Sequence, residues 1–169
     1  MGAVNITASV LTISDRCAAG AFVDLSGPQI AGLLVDKGMA IVDRGVVADD
    51  IPAIQSQLRA LAQKSRLVVT TGGTGLAPRD VTPEATAQIC DRLVPGLAEL
   101  MRAEGIRQTP LASLSRGICG TLGSTLILNL PGSPAGARTS LLAVIDLLPH
   151  ALDLLAGNTA HADAPAHLQ

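Results

Sequence analysis

The sequence predicts a three-layer α/β domain, with a doubly wound, mostly parallel sheet and helices on both faces. Three observations carry this expectation. Apolar runs of strand length alternate with amphipathic stretches of helix length, an order that calls for crossover connections and parallel pairing. The 169 residues are 48% hydrophobic and 15% charged, enough to bury one sizeable core and too apolar for disorder over most of the chain. Phe22 is the only aromatic residue, so that core must be built from Leu, Val, Ile and Ala.

The elements follow in order along the chain. "SVLTIS" (Ser9–Ser14) reads as a first buried strand. "SGPQIAGLLVDKG" (Ser26–Gly38) reads as a helix capped by Ser26 and stopped by Gly38. "AIVDRGVVADD" (Ala40–Asp50) is strand-like and ends in two aspartates. "IPAIQSQLRALAQK" (Ile51–Lys64) puts Ile51, Ile54, Leu58 and Leu61 on one helical face, with Asp50 placed to cap it. "RLVVTT" (Arg66–Thr71) is the next strand, and Thr82 then reads as an N-cap followed by Pro83 and the dipole-favoured Glu84. A further helix restarts at Pro95-Gly96. Ser113–Gly132 is irregular, with a possible hairpin that leads into the strand "TLILNL". From Ser133 a helix or helix pair keeps Leu141, Ile145, Leu148, Leu152 and Leu155 on one face, and Pro149 forces a kink or restart. Residues 1–157 are expected to form a single domain, and residues 158–169, which lose this periodicity, a flexible C-terminal tail.

Composition excludes several functions. The net charge is −2 and the twelve basic residues are scattered, which argues against binding a nucleic-acid backbone. The lack of aromatic platforms argues against stacking on single strands. Cys17, Cys90 and Cys119 are far apart and without a CxxC, so they read as buried thiols in a reducing compartment. The N-terminus lacks a basic n-region and a cleavage site, and no apolar stretch reaches membrane-spanning length. A soluble cytoplasmic domain is expected.

In a doubly wound sheet, ligands sit beyond the carboxyl ends of the strands. That rule selects Ser14-Asp15, Asp49-Asp50, Thr71–Asp80 and Pro131–Ser133. In "LVVTTGGTGLAPRDVTPEAT", Gly72, Gly73 and Gly75 lie between a strand and a helix start, where backbone N–H groups can converge on an anion. The loop matches neither a P-loop nor GxGxxG, and an ordinary strand-to-helix connection also fits it. "LNLPGSPAGA" repeats the pattern, with Ser133 before Pro134. Asp49 and Asp80 are candidates for Mg²⁺, which needs one or two carboxylates and fills its other positions with water and phosphate. Alternatively, Asp80 pairs locally with Arg79. The three histidines do not cluster, and no Ser/His/Asp or Cys/His set is present.

At these residues the sequence resembles the molybdenum-cofactor biosynthesis family of MogA/MoaB type, which includes the molybdopterin adenylyltransferases. "LTISDR", "DLSGP", "TTGGTGLAPRDVTPEAT" and "LNLPGSPAG" occur in that family's order between Val10 and Leu155. The resemblance implies a trimeric α/β protein that joins the terminal phosphate of molybdopterin to AMP from ATP, with Mg²⁺, and releases pyrophosphate. It assigns the pterin and its phosphate to Thr71, Gly72, Gly73, Thr74 and Gly75, with Gly132 and Ser133 as a second turn. Asp49 and Asp80 become the catalytic and metal-binding carboxylates, and Ser14, Asp15 and Ser124 line the same crevice. Ala48 departs from a proline often found before the first of these acids. A downstream molybdate-insertion enzyme is an implied partner. A non-catalytic molybdopterin carrier on the same fold is the alternative.

Overall fold

The computed structural model describes residues 5–159. The tail expected over 158–169 therefore lies almost wholly outside the described residues. One six-stranded sheet runs through the molecule in the order β2-β1-β3-β6-β5-β4. Strands β1 (Thr7–Ile13), β2 (Ala40–Val47), β3 (Leu67–Thr71) and β6 (Thr125–Leu130) are mutually parallel. Strands β5 (Cys119–Leu122) and β4 (Arg92–Leu93) add an antiparallel edge. The possible hairpin is β5–β6, closed by Gly123 and Ser124, a two-residue link that only an antiparallel pair accepts.

The central strands read as unbroken apolar runs because both of their faces are covered. Successive side chains alternate between two helical layers. Ala8, Val10, Leu67, Val69, Leu126 and Leu128 face α2 (Ser26–Asp36), α5 (Pro95–Gln108), α6 (Pro134–Val144) and α7 (Leu148–Leu155). Leu11, Ile13, Val68 and Ile127 face α3 (Ile51–Ala62) and α4 (Thr82–Ile89). On α3 the expected stripe is buried through Ile54, Leu58 and Leu61, while Ile51 is partly buried. Each fully buried aliphatic side chain there contributes about 1.5–3 kcal/mol of transfer free energy.

Several local expectations hold. Asp50 caps α3 by accepting from the Ala53 amide at 3.0 Å. Ser133 caps α6 by accepting from the Gly136 amide at 3.1 Å. The last apolar stretch is a pair of helices, α6 and α7, joined by a 3-10 turn at Ile145–Leu147, and Pro149 sits in the first turn of α7. Two expected caps do not form. Ser26 is already helical and donates to the Gly132 carbonyl at 2.7 Å, and Thr82 donates to the Gly72 carbonyl at 2.9 Å. Tertiary acceptors have taken both hydroxyls. Among the described residues, no helix is long and apolar enough to cross a membrane.

Candidate active site

Four parallel strands end at the same edge of the sheet, so their C-terminal turns converge. After β1, Ser14 caps the short helix α1 (Asp15–Ala18) by accepting from the Cys17 amide at 3.2 Å. After β2 comes Asp49. The two turns are tied reciprocally: the Asp15 amide donates to Asp49 Oδ2 at 2.8 Å, and the Asp49 amide donates to Asp15 Oδ1 at 3.0 Å. The turns after β3 and β6 are tied as well. The Gly72 amide donates to the Leu130 carbonyl at 3.1 Å, and Thr71 Oγ1 donates to the Pro131 carbonyl at 2.7 Å.

Close packing explains the glycines. Gly72 has φ +104°, and a Cβ there would stand 2.2 Å from the Ile13 carbonyl oxygen. Gly73 has φ +64°, and its Cβ would stand 2.3 Å from Thr82 Oγ1 and 2.9 Å from Asp49 Oδ1. The loop thus passes directly over the ends of β1 and β2, at distances that only backbone tolerates.

Among the described residues, the amides of Gly73, Thr74, Gly75 and Leu76 donate no hydrogen bond to protein. Four successive unspent donors are what an anion cradle requires. The α6 N-terminus lies across from them: Gly132, Ser133, Ala135 and Gly136 line the same cleft as Gly73, Thr74, Gly75 and Asp80. That cleft encloses about 610 Å³. Its far wall is α5 with the 3-10 turn Pro110–Leu114, which contributes Met101, Leu111, Ala112 and Leu114. Asn129 lines it too, with Nδ2 donating at 3.1 Å to both Thr70 Oγ1 and Thr86 Oγ1. A largely apolar slot with a polar end suits a ring system carrying a phosphate.

The carboxylates lie on two sides of the loop. Asp80 lines the cleft, and its Oδ2 accepts from the Ala77 amide at 3.0 Å. Asp49 sits on the other side, against Gly73. Burial raises the Asp49 pKa above the ordinary carboxylate range, and repulsion from Asp15 and Asp80 adds to the shift. Asp15 is held below that range by Arg79, whose Nε and Nη2 donate to it at 2.9 and 2.8 Å. The local Arg79–Asp80 pair considered from sequence does not form, because Arg79 reaches back across the edge to Asp15 instead.

Among the described residues, no three His, Cys, Asp or Glu side chains gather as a ready-made metal cage. Mg²⁺ does not need one, since it is commonly held by one or two carboxylates and a substrate's phosphates. Asp49 and Asp80, flanking an amide cradle, fit that donor set.

Of the residues expected at the site, Ser14, Asp15, Asp49, Thr71–Gly75, Asp80, Gly132 and Ser133 come together. Ser124 does not. It sits exposed in the β5–β6 hairpin, at the start of β6, while the crevice lies beyond the end of that strand. Six residues of strand separate the two by about 20 Å. Sequence reading missed the α5 wall, Asn129 and Arg116. Arg116 binds the glycine loop from an irregular segment with no local pattern to mark it.

A family model described as "Probable molybdopterin binding domain" matches residues 9–150. The chain is 41% identical over 158 residues to the "Molybdopterin adenylyltransferase" of Helicobacter pylori strain J99, covering 91% of this chain and 90% of that protein. It is 44% identical over 154 residues to the "Molybdenum cofactor synthesis protein cinnamon" of Drosophila melanogaster. That match covers 89% of this chain but only 26% of the fly protein. A solved structure of the molybdopterin biosynthesis enzyme MoaB from Thermus thermophilus superposes with a TM-score of 0.85 at 50% identity, covering 90% of this chain and 97% of that one.

Proposed function

The chain belongs to the molybdopterin-binding family of molybdenum-cofactor biosynthesis, and from that premise we propose that it is a molybdopterin adenylyltransferase. An oxygen of the molybdopterin terminal phosphate attacks the α-phosphorus of ATP. The bond from that phosphorus to the bridging oxygen breaks, and pyrophosphate leaves. The observation that carries this reading is the row of unspent amides at Gly73–Leu76, set between Asp49 and Asp80 at the end of an apolar cleft.

The chain's own residues supply positioning and electrostatics, the two largest needs of a transfer between anions. The cleft walls hold the pterin. The loop amides, with Gly132, Ser133 and the α6 N-terminus, hold its phosphate without a lysine's full charge. Asp49 and Asp80 would hold Mg²⁺, which when bound neutralises the triphosphate and the departing pyrophosphate. Arg79, fixed by Asp15, tempers the acidic edge that an incoming triphosphate must approach.

The same reading takes residues 1–157 as one domain and places the protein in the cytoplasm, in keeping with its free thiols. We read it as a homotrimer, for which the exposed Val42 and Val46 of the outermost parallel strand β2 offer apolar surface. A molybdate-insertion enzyme would take the adenylylated product. The length of the fly relative, of which this chain matches about a quarter, accords with coupling to further domains.

Pyrophosphate release from ATP by purified protein with Mg²⁺ and molybdopterin tests the proposal, beside a blank without pterin and the Asp80→Asn variant. Release should need the pterin and fall by about 100-fold or more in the variant. Normal turnover by Asp80→Asn would remove the role given to Asp80. Pterin binding with no release by the parent protein would make it a carrier.

A further inference from the structure

A peptide loop carries as many carbonyls as amides, so a loop that holds an anion must turn its carbonyls elsewhere. Here one residue takes three of them. The Arg116 amide donates to the Thr74 carbonyl at 2.8 Å, Nε to the Gly75 carbonyl at 2.7 Å, and Nη2 to the Asp80 carbonyl at 2.7 Å. The remaining edge of the guanidinium, Nη1, contacts Glu84 Oε1 in the first turn of α4. In a trans peptide the N–H points opposite to the C=O. Fixing the Thr74 and Gly75 carbonyls on Arg116 therefore aims the Gly75 and Leu76 amides the other way, and these are two of the four unspent donors.

We propose that Arg116 is a positioning residue that sets the polarity of the phosphate cradle, drawing the loop's carbonyls to one side so that its amides and Asp80 face the ligand. Arg116 itself does not line the cleft, so it acts through the loop and not by touching substrate. The segment that carries it is anchored in turn to the cleft's far wall, because Arg102 of α5 donates through Nη1 to the Gly117 carbonyl at 2.9 Å. The cleft wall and the cradle thus share one strap. A lysine would keep the charge but cannot reach three acceptors in a planar fork.

The inference rests on the proposed assignment of the loop as the phosphate cradle, and not on transfer being catalysed. Its test is a titration of the intact protein with inorganic phosphate at fixed ionic strength, followed by backbone amide NMR shifts. Only folded molecules contribute these signals. In the parent protein the Gly73–Leu76 amides should shift saturably. In Arg116→Lys and Arg116→Gln the dissociation constant should rise by about fivefold or more, with Lys no better than twofold over Gln. A smaller rise in Arg116→Lys, or no shift of these amides in the parent protein, overturns the proposal. If both variants lose their fold, Glu84→Ala decides, since it removes the acceptor of Nη1 while keeping Arg116. Affinity lowered about twofold or more supports the strap, and unchanged affinity overturns it. Saturable phosphate binding without pyrophosphate release would remove the enzyme assignment and leave the role of Arg116 standing.

Discussion

Replacing Gly72 with alanine tests the close passage of the loop over β1. The new Cβ would lie 2.2 Å from the Ile13 carbonyl oxygen, where a carbon–oxygen contact settles at about 3.3 Å. Roughly 1 Å of movement is therefore forced between two backbones. Ile13 ends β1 and is registered against Val47 of β2, while the Gly72 amide is held by Leu130, so neither side yields freely. Overpacking of this kind costs about 1–3 kcal/mol, and the positive φ of +104° adds roughly 1–2 kcal/mol for a residue with a Cβ. Gly20→Ala is the control, because Gly20 has φ +73° and nothing within 4 Å of its Cβ position. It incurs only the conformational cost of about 1–2 kcal/mol. The loss of unfolded-state freedom is common to both substitutions and cancels. Urea unfolding at equal protein concentration should thus place Gly72→Ala about 1–3 kcal/mol below Gly20→Ala with an unchanged m-value. Equal midpoints for the two variants would refute the contact argument.

Asp49→Asn should lower transfer by about 100-fold or more, measured as pyrophosphate release, yet raise the melting temperature at neutral pH. The folded protein holds the Asp49 proton more tightly than the unfolded chain does, so ionising it removes stability. The stability gap between variant and parent should therefore open as pH rises from the ordinary aspartate value through the raised one, and close below it. Transfer by the parent should fall as pH drops through that same raised value. Ser133→Ala loses the α6 cap and should cost about 1 kcal/mol in urea unfolding while raising KM for the pterin more than it lowers kcat. Leu58→Ala, at a fully buried position between α3 and the sheet, should cost about 3–5 kcal/mol by the same unfolding assay and leave KM unchanged in the folded fraction.

What the sequence determined by itself rested on local periods and on those local partners that no distant group displaced. The strands after which the chain turns polar, the α3 stripe, the Asp50 and Ser133 caps and the restart at Pro149 all depend on neighbours within a few residues. Because parallel strands end at one edge, those local readings also put Asp49, Asp80 and the two glycine turns in one place. The tertiary structure decided the rest. It diverted the Ser26 and Thr82 hydroxyls to carbonyls of the site turns, and Arg79 to Asp15 across 64 positions. Arg116 reaches Gly75 across 41 positions and Asp80 across 36. A hydrogen-bonding side chain serves whichever acceptor the packed elements bring within about 3 Å. For these residues that acceptor lies on a distant segment, and packing, not chain order, selects it.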